Sequence, residues 1–172
     1  MSGASLFQKK VCMLGAFAVG KTSLVARLVH GIFSERYLTT VGVKIDRKAL
    51  TVGGRDVSLI LWDIHGEDEF QRVRETYLRG AAGYLLVVDG TRRSTLETAI
   101  QLQERAAAAI GDVPFLVLLN KSDLEEDWEL DGEAVAGLLA RGWTVMRTSA
   151  RSGASVEEAF RTLAGRIVET DR

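Results

Sequence analysis

Apolar residues in this chain gather into short unbroken runs, and between those runs they recur at helical spacing. That alternation predicts βαβ units and a mostly parallel sheet. Val11–Leu14 reads as a buried first strand, followed by a Gly-rich turn and a helix starting at Lys21. Val43–Val52 and Val57–Asp63 flank Gly53-Gly54-Arg55 and read as an antiparallel hairpin. Tyr84–Asp89, Phe115–Leu119 and Trp143–Thr148 supply three more buried strands.

Two helices are marked by capping boxes. Ser94 with Glu97 opens one, whose apolar side chains recur at Leu96, Ile100 and Ala107. Ser155 with Glu158 opens the last, followed by Val156, Phe160, Leu163 and Ile167. Asp131 is placed to cap a helix carrying Val135, Leu138 and Leu139. The single proline, Pro114, stands at a strand entrance, where its missing N–H does least harm. No repeat, low-complexity tract or second domain interrupts residues 1–172, so one domain is expected at this length.

Charge narrows the partners rather than the fold. Lys and Arg total 22, Asp and Glu 23, and the formal net charge is −1. Nothing in that balance draws nucleic acid or an anionic membrane. The only cysteine, Cys12, sits in the apolar run Val11-Cys12-Met13-Leu14, which excludes an internal disulfide and suits a reducing cytosol. No apolar run approaches the ~18 residues of a membrane span. The start Met1-Ser2-Gly3 is not a myristoylation signal, and Glu169-Thr170-Asp171-Arg172 holds no cysteine for prenylation. The residues given therefore read as soluble, cytoplasmic and without a direct membrane anchor.

The chemistry begins at Gly15-Ala16-Phe17-Ala18-Val19-Gly20-Lys21-Thr22, which matches GxxxxGK[ST] between a strand and a helix. Glycines at its ends let the loop wrap a phosphate with its N–H groups inward, and the helix aims its positive end at the same anion. The contacting set is Gly15, Ala18, Val19, Gly20, Lys21, Thr22 and Ser23. Lys21 would reach the β- and γ-phosphates and the Thr22 hydroxyl would ligate Mg²⁺. Both are expected at an exposed loop–helix junction. The motif by itself does not choose between ATP and GTP.

Asn120-Lys121-Ser122-Asp123 makes that choice. It follows the buried run Phe115–Leu119 and so falls on the carboxyl edge of the sheet, where open α/β folds bind ligands. The Asp123 carboxylate can accept from guanine N1–H and the 2-amino group, donors that adenine lacks. Asn120 can tie neighbouring loops together, and the Lys121 stem can lie on the ring. Ser149-Ala150-Arg151 ends the next strand, where the Ala150 N–H can donate to guanine O6.

In this order these residues resemble the Ras-like small GTPases, in the Ras–Rho–Rab part of that superfamily, over essentially the whole chain. The resemblance implies an α/β fold with a six-stranded, mostly parallel sheet, one antiparallel edge strand and helices on both faces. It implies GTP or GDP with Mg²⁺ as ligands. Trp62-Asp63-Ile64-His65-Gly66 resembles WDxxG, so Asp63 would hold Mg²⁺ through water and the Gly66 N–H would contact the γ-phosphate. Tyr37-Leu38-Thr39-Thr40-Val41-Gly42 resembles the first switch, with Thr40 as the second hydroxyl ligand of Mg²⁺. Phe33 matches the aromatic residue packed edge-on against guanine. Tyr77-Leu78-Arg79-Gly80-Ala81 is similar to the stretch closing the second switch, nearest the Rab version. Segments around 34–43 and 64–79 would change shape with the nucleotide and receive effector, exchange-factor and activator proteins.

Three departures surround the γ-phosphate. Glu67 stands where the family has a water-orienting Gln; a carboxylate can accept from the attacking water but has no N–H₂ to donate to the transition state. It reads either as that catalytic group or as a solvated switch residue. His65 replaces a small residue; a protonated imidazole there offsets the charge of Glu67 or contacts the γ-phosphate, or else the side chain turns to solvent in the GDP state. Phe17 fills a loop position usually held by Gly, and either crowds the γ-phosphate or folds outward as part of a partner surface. The reading is a GTP-hydrolysing molecular switch. Its alternatives are a pseudo-GTPase interaction module and a phosphate-loop metabolic kinase.

Overall fold

The computed structural model describes residues 7–31, 43–64 and 75–171. Six strands form one sheet: β1 Phe7–Gly15, β2 Val43–Val52, β3 Arg55–Ile64, β4 Gly83–Asp89, β5 Phe115–Asn120 and β6 Val145–Arg147. Their order is β2-β3-β1-β4-β5-β6. β2 runs antiparallel to β3, and every other neighbouring pair is parallel. The helices are α1 Lys21–His30, the short α2 Glu75–Leu78, α3 Ser94–Ile110, α4 Gly132–Ala140 and α5 Val156–Thr170.

Strand alternation divides the core between the two faces of the sheet. On one face Val11 and Met13 pack with Leu24, Val25 and Leu28 of α1 and with Phe160, Leu163 and Ile167 of α5. On the other, Cys12 and Leu14 pack with Leu78 of α2, Leu96 and Leu102 of α3 and Leu138 of α4. β4 is buried from end to end, as a central parallel strand covered on both faces should be. From β1 the chain winds to one edge of the sheet through α1, β2 and β3. It then returns past β1 to build the other edge, so the carboxyl end of β1 faces the crevice where such folds bind ligands.

Several boundaries differ from the sequence reading. β1 begins at Phe7 because Phe7–Lys10 pair with Val57–Ile60 of β3, and this ladder holds polar residues that no apolar run marks. Lys10 is satisfied there by the Arg79 carbonyl at 2.7 Å and by the Trp62 ring, 3.6 Å from its ammonium to the ring centroid. β6 is not a buried strand over Trp143–Thr148. It is a three-residue edge strand in which Val145 and Met146 are partly buried and Arg147 is exposed, and it follows the turn at Gly142 in left-handed conformation (φ 81°). Ala107 and Leu139 are exposed rather than apolar contacts of the core.

Neither capping box forms. Ser94 is already inside α3, and Arg93 precedes it in helical conformation without a side-chain cap. The start is tied by Thr95 instead, whose buried hydroxyl accepts from the Asp89 N–H at 2.9 Å, and by Glu129, which accepts from the Arg93 N–H at 2.7 Å. Ser155 caps α5 in a left-handed conformation (φ 58°) with no side-chain hydrogen bond, whereas a capping box needs extended backbone there. Asp131 does cap α4, accepting from the Ala134 N–H at 2.8 Å.

Candidate functional site

The carboxyl ends of β1, β3, β4 and β5 deliver Gly15, Asp63, Asp89 and Asn120 to one edge of the sheet, with Asp89 paired to Asn120 in register. Gly15 ends β1 against β4: a Cβ there would lie 2.5 Å from the Val87 carbonyl oxygen. Gly20, with φ 106°, ends the loop against the Asn120 amide, which a Cβ would meet at 2.3 Å. Both motif glycines are thus required by packing against the protein itself, in addition to any phosphate. Ala18, between them, holds a left-handed conformation (φ 62°) that non-glycine residues seldom adopt.

Lys21 is buried, 5% exposed, which corrects the expectation of an exposed junction. Its ammonium donates to the carbonyls of Gly15 at 3.1 Å and Ala16 at 3.0 Å, so loop and helix enclose the charge. Thr22 and Ser23 are half-buried in the first turn of α1. The Thr22 hydroxyl donates to Asp63 Oδ2 at 2.6 Å. Asp63 is fully buried; burial pushes its carboxyl up, while the Thr22 hydrogen bond and the Lys21 charge pull it back. A hydroxyl and a carboxylate oxygen this close are hard donors, suited to a cation that completes its shell with phosphate oxygens and water. That donor set fits Mg²⁺. Thr40, the other expected ligand, lies outside the described residues, as do Phe33, His65, Gly66 and Glu67.

Of the residues expected to read the base, Asn120 and Lys121 are tied to the phosphate loop. Asn120, 1% exposed, donates through Nδ2 to the Val19 carbonyl at 3.0 Å and accepts from the Thr148 hydroxyl at 3.1 Å. Lys121, left-handed at φ 68°, donates to the Ala18 carbonyl at 3.0 Å. Asp123 is exposed, with Oδ1 accepting from the Ser149 hydroxyl at 2.7 Å, and that hydroxyl accepts from the Ser152 N–H at 3.0 Å. Arg27 of α1 donates to the Ala150 carbonyl at 2.8 Å and also to the Arg151 carbonyl. The structure therefore places Asn120 and Lys121 against the phosphate loop, joins Asp123 to Ser149, and ties Ala150 and Arg151 to α1 through Arg27.

Sequence reasoning missed four residues of this assembly: Arg27, Asp89, Arg92 and Thr148. Asp89 was visible only as a charge closing a buried strand. Its carboxylate, 1% exposed, accepts from the N–H and hydroxyl of Thr91 through Oδ1, and from Arg92 Nε and Lys121 Nζ through Oδ2, both at 2.9 Å. Burial would raise its pKa, but the hydrogen bonds from Thr91, Lys121 and Arg92 outweigh burial and hold it below the usual carboxylate range. Arg92 further donates through Nη2 to the Phe17 carbonyl at 2.8 Å. The Phe17 side chain is about half exposed.

Comparison with known proteins agrees with this arrangement. The family model described as Ras family matches residues 10–169. The chain is also 33% identical over 171 residues to the Ras-related protein RABA4b of Arabidopsis thaliana, covering 98% of this chain and 76% of that relative. Because the match runs from β1 into the end of α5, and the sheet has the strand order and antiparallel hairpin that the resemblance implied, the chain belongs to the Ras family of small GTPases.

Proposed function

We propose that residues 1–172 form one guanine-nucleotide-binding domain that works as a Mg²⁺-dependent switch, hydrolysing GTP by in-line attack of water on the γ-phosphate. The observation that carries this reading is the hydrogen-bonded join between Asn120-Lys121 and the carbonyls of Val19 and Ala18, with Asp123 alongside. A base reader and a phosphate cradle fixed to one another select a whole nucleotide, whereas either alone selects a fragment. Asp123 would accept from guanine, the Ala150 N–H would donate to O6, and Phe33 would pack against the ring. The loop N–H groups and Lys21 would hold the β- and γ-phosphates, stabilising charge as it develops. Mg²⁺, when bound, neutralises phosphate charge. Thr22, Thr40 and Asp63 are the residues that would hold it.

Gly66 would contact the γ-phosphate and Glu67 would accept from the attacking water. Segments 34–43 and 64–79 would order with GTP and relax after hydrolysis, presenting effector, exchange-factor and activator surfaces. A reducing, cytoplasmic setting belongs to the same proposal, supported by the lone and buried Cys12 thiol. Among the described residues no helix is long and apolar enough to cross a membrane.

A second reading, a pseudo-GTPase that holds nucleotide but barely hydrolyses it, is favoured by Glu67 and Phe17. The test is to identify the nucleotide retained on purification and follow single-turnover GTP hydrolysis with and without candidate activators. Retained guanine nucleotide with activator-stimulated turnover supports the switch. Retention without turnover selects the interaction module, and retained adenine nucleotide overturns both.

A further inference from the structure

Three consecutive carbonyls of the phosphate loop are held by side chains from elsewhere in the chain. Phe17 O accepts from Arg92 at 2.8 Å, Ala18 O from Lys121 at 3.0 Å, and Val19 O from Asn120 at 3.0 Å. All peptides described are trans, so each carbonyl points opposite to the N–H that follows it. Holding these three carbonyls toward the β4–α3 and β5–α4 connections turns the N–H groups of Ala18, Val19 and Gly20 the other way. That is the direction an anion cradle needs.

Asn120 and Lys121 belong to the base-reading motif. Arg92 belongs to no motif, and comes from the turn between β4 and α3. Its guanidinium makes two divergent contacts, Nε to Asp89 Oδ2 at 2.9 Å and Nη2 to Phe17 O. The same Asp89 oxygen receives Lys121 at 2.9 Å. One buried carboxylate therefore anchors two cations, and those cations hold adjacent peptides of the loop.

We propose that Arg92 is a positioning residue of the nucleotide site: by fixing the Phe17–Ala18 peptide it aims the Ala18 N–H at the phosphates, and through Asp89 it shares its anchor with Lys121 on the base side. This rests on reading the site as one for guanine nucleotide. An arginine is required because its planar fork carries separate donors for the carboxylate and the carbonyl. A lysine has a single nitrogen on a flexible stem and would satisfy the carboxylate first. Arg92 is 43% exposed, so its salt bridge is screened by solvent, and its effect is directional rather than a large contribution to folding.

The experiment measures release of a fluorescent GDP from the wild type, Arg92→Ala and Arg92→Lys, with the ³¹P spectrum of bound GDP recorded for each. Arg92→Ala is expected to release GDP about tenfold faster, the loss of one charge-assisted hydrogen bond. The β-phosphate resonance should shift, while preference for GDP over ADP stays as in wild type. Arg92→Lys is expected to behave like Arg92→Ala. Wild-type release and an unmoved resonance in Arg92→Ala would overturn the inference. So would full rescue by Arg92→Lys, which would reduce Arg92 to a counter-charge for Asp89. Should Arg92→Ala fail to fold, the Arg92→Lys comparison decides the matter. A wild type that binds no guanine nucleotide would instead overturn the functional reading beneath it.

Discussion

Trp128 lies so tightly against Gly90 that a Cβ on that glycine would fall 2.0 Å from the indole ring. The contact joins the connection after β4 to the connection after β5, and a backbone bond from the Glu129 N–H to the Gly90 carbonyl at 2.8 Å runs beside it. The Arg147 guanidinium covers the ring 4.5 Å from its centroid. Gly90→Ala is expected to expel the ring and destabilise the protein by ~1–3 kcal/mol, the usual range for overpacking. Adding Trp128→Ala should recover part of that loss, because the clash disappears with the ring. Thermal melts of the two single variants and the double variant measure this; simple additivity would mean that Trp128 moves aside freely.

Asp123→Asn should shift preference from GTP toward xanthosine triphosphate, since an amide can donate to the 2-oxo group of xanthine. The Ser149 hydroxyl, which donates to Asp123 Oδ1, can still donate to the amide oxygen, so the orientation should survive. Nucleotide competition reads the result. Unchanged selectivity would remove Asp123 from the base site.

Asp89 should make stability depend on acid pH. Its folded pKa is depressed below the ordinary 3.8 by the hydrogen bonds from Thr91, Lys121 and Arg92. A depressed carboxylate stabilises the fold above its unfolded pKa, and that contribution is lost as pH falls through the folded value. The stability gap between wild type and Asp89→Asn should therefore be constant from neutral pH down to about 5 and narrow below about 4. Denaturant titrations across that range test the sign, and a gap that widens in acid would contradict it.

Cys12 should be inert in the native protein. It is fully buried, and burial pushes its thiol up to about 12 against the opposing charge of Lys10. Because the thiolate is the reactive form, a thiol reagent should label Cys12 only in denaturant. Rapid labelling of the native protein would show that β1 and its neighbours open readily.

The proposed catalytic corner carries the largest expected change in rate. If Phe17 crowds the γ-phosphate and Glu67 lacks a needed donor, Phe17→Gly with Glu67→Gln should hydrolyse GTP faster than either single variant when an activator supplies arginine. A hydrogen bond made only to the transition state is worth ~10²–10³ in rate at a pre-organised site. GTP affinity should move far less. A wild type faster than both single variants would overturn the crowding and make Glu67 an active base.

Residues that must be neighbours in sequence to do their work were legible from the sequence. A phosphate loop has to join a strand to a helix within a few residues, so Gly15–Thr22 announced both its fold context and its ligand class. Strand runs and helical spacing located the six strands and the faces of α5, because side-chain periodicity is a local property. The same reasoning held for the Asp131 cap of α4 but failed for both capping boxes. Ser94 and Glu97 have the spacing of a capping box, yet Thr95 and Glu129 tie the start of α3, and Glu129 lies 36 residues away from the Arg93 it meets. What only the tertiary structure decided is which distant groups converge. Arg92 reaches the Phe17 carbonyl across 75 residues, and Asn120 reaches the Val19 carbonyl across 101. No periodicity encodes such pairs, because they exist only once strand order has set β4 beside β1 and β5 beside β4. Hydrogen-bond geometry, and not residue type, then assigns each donor its acceptor.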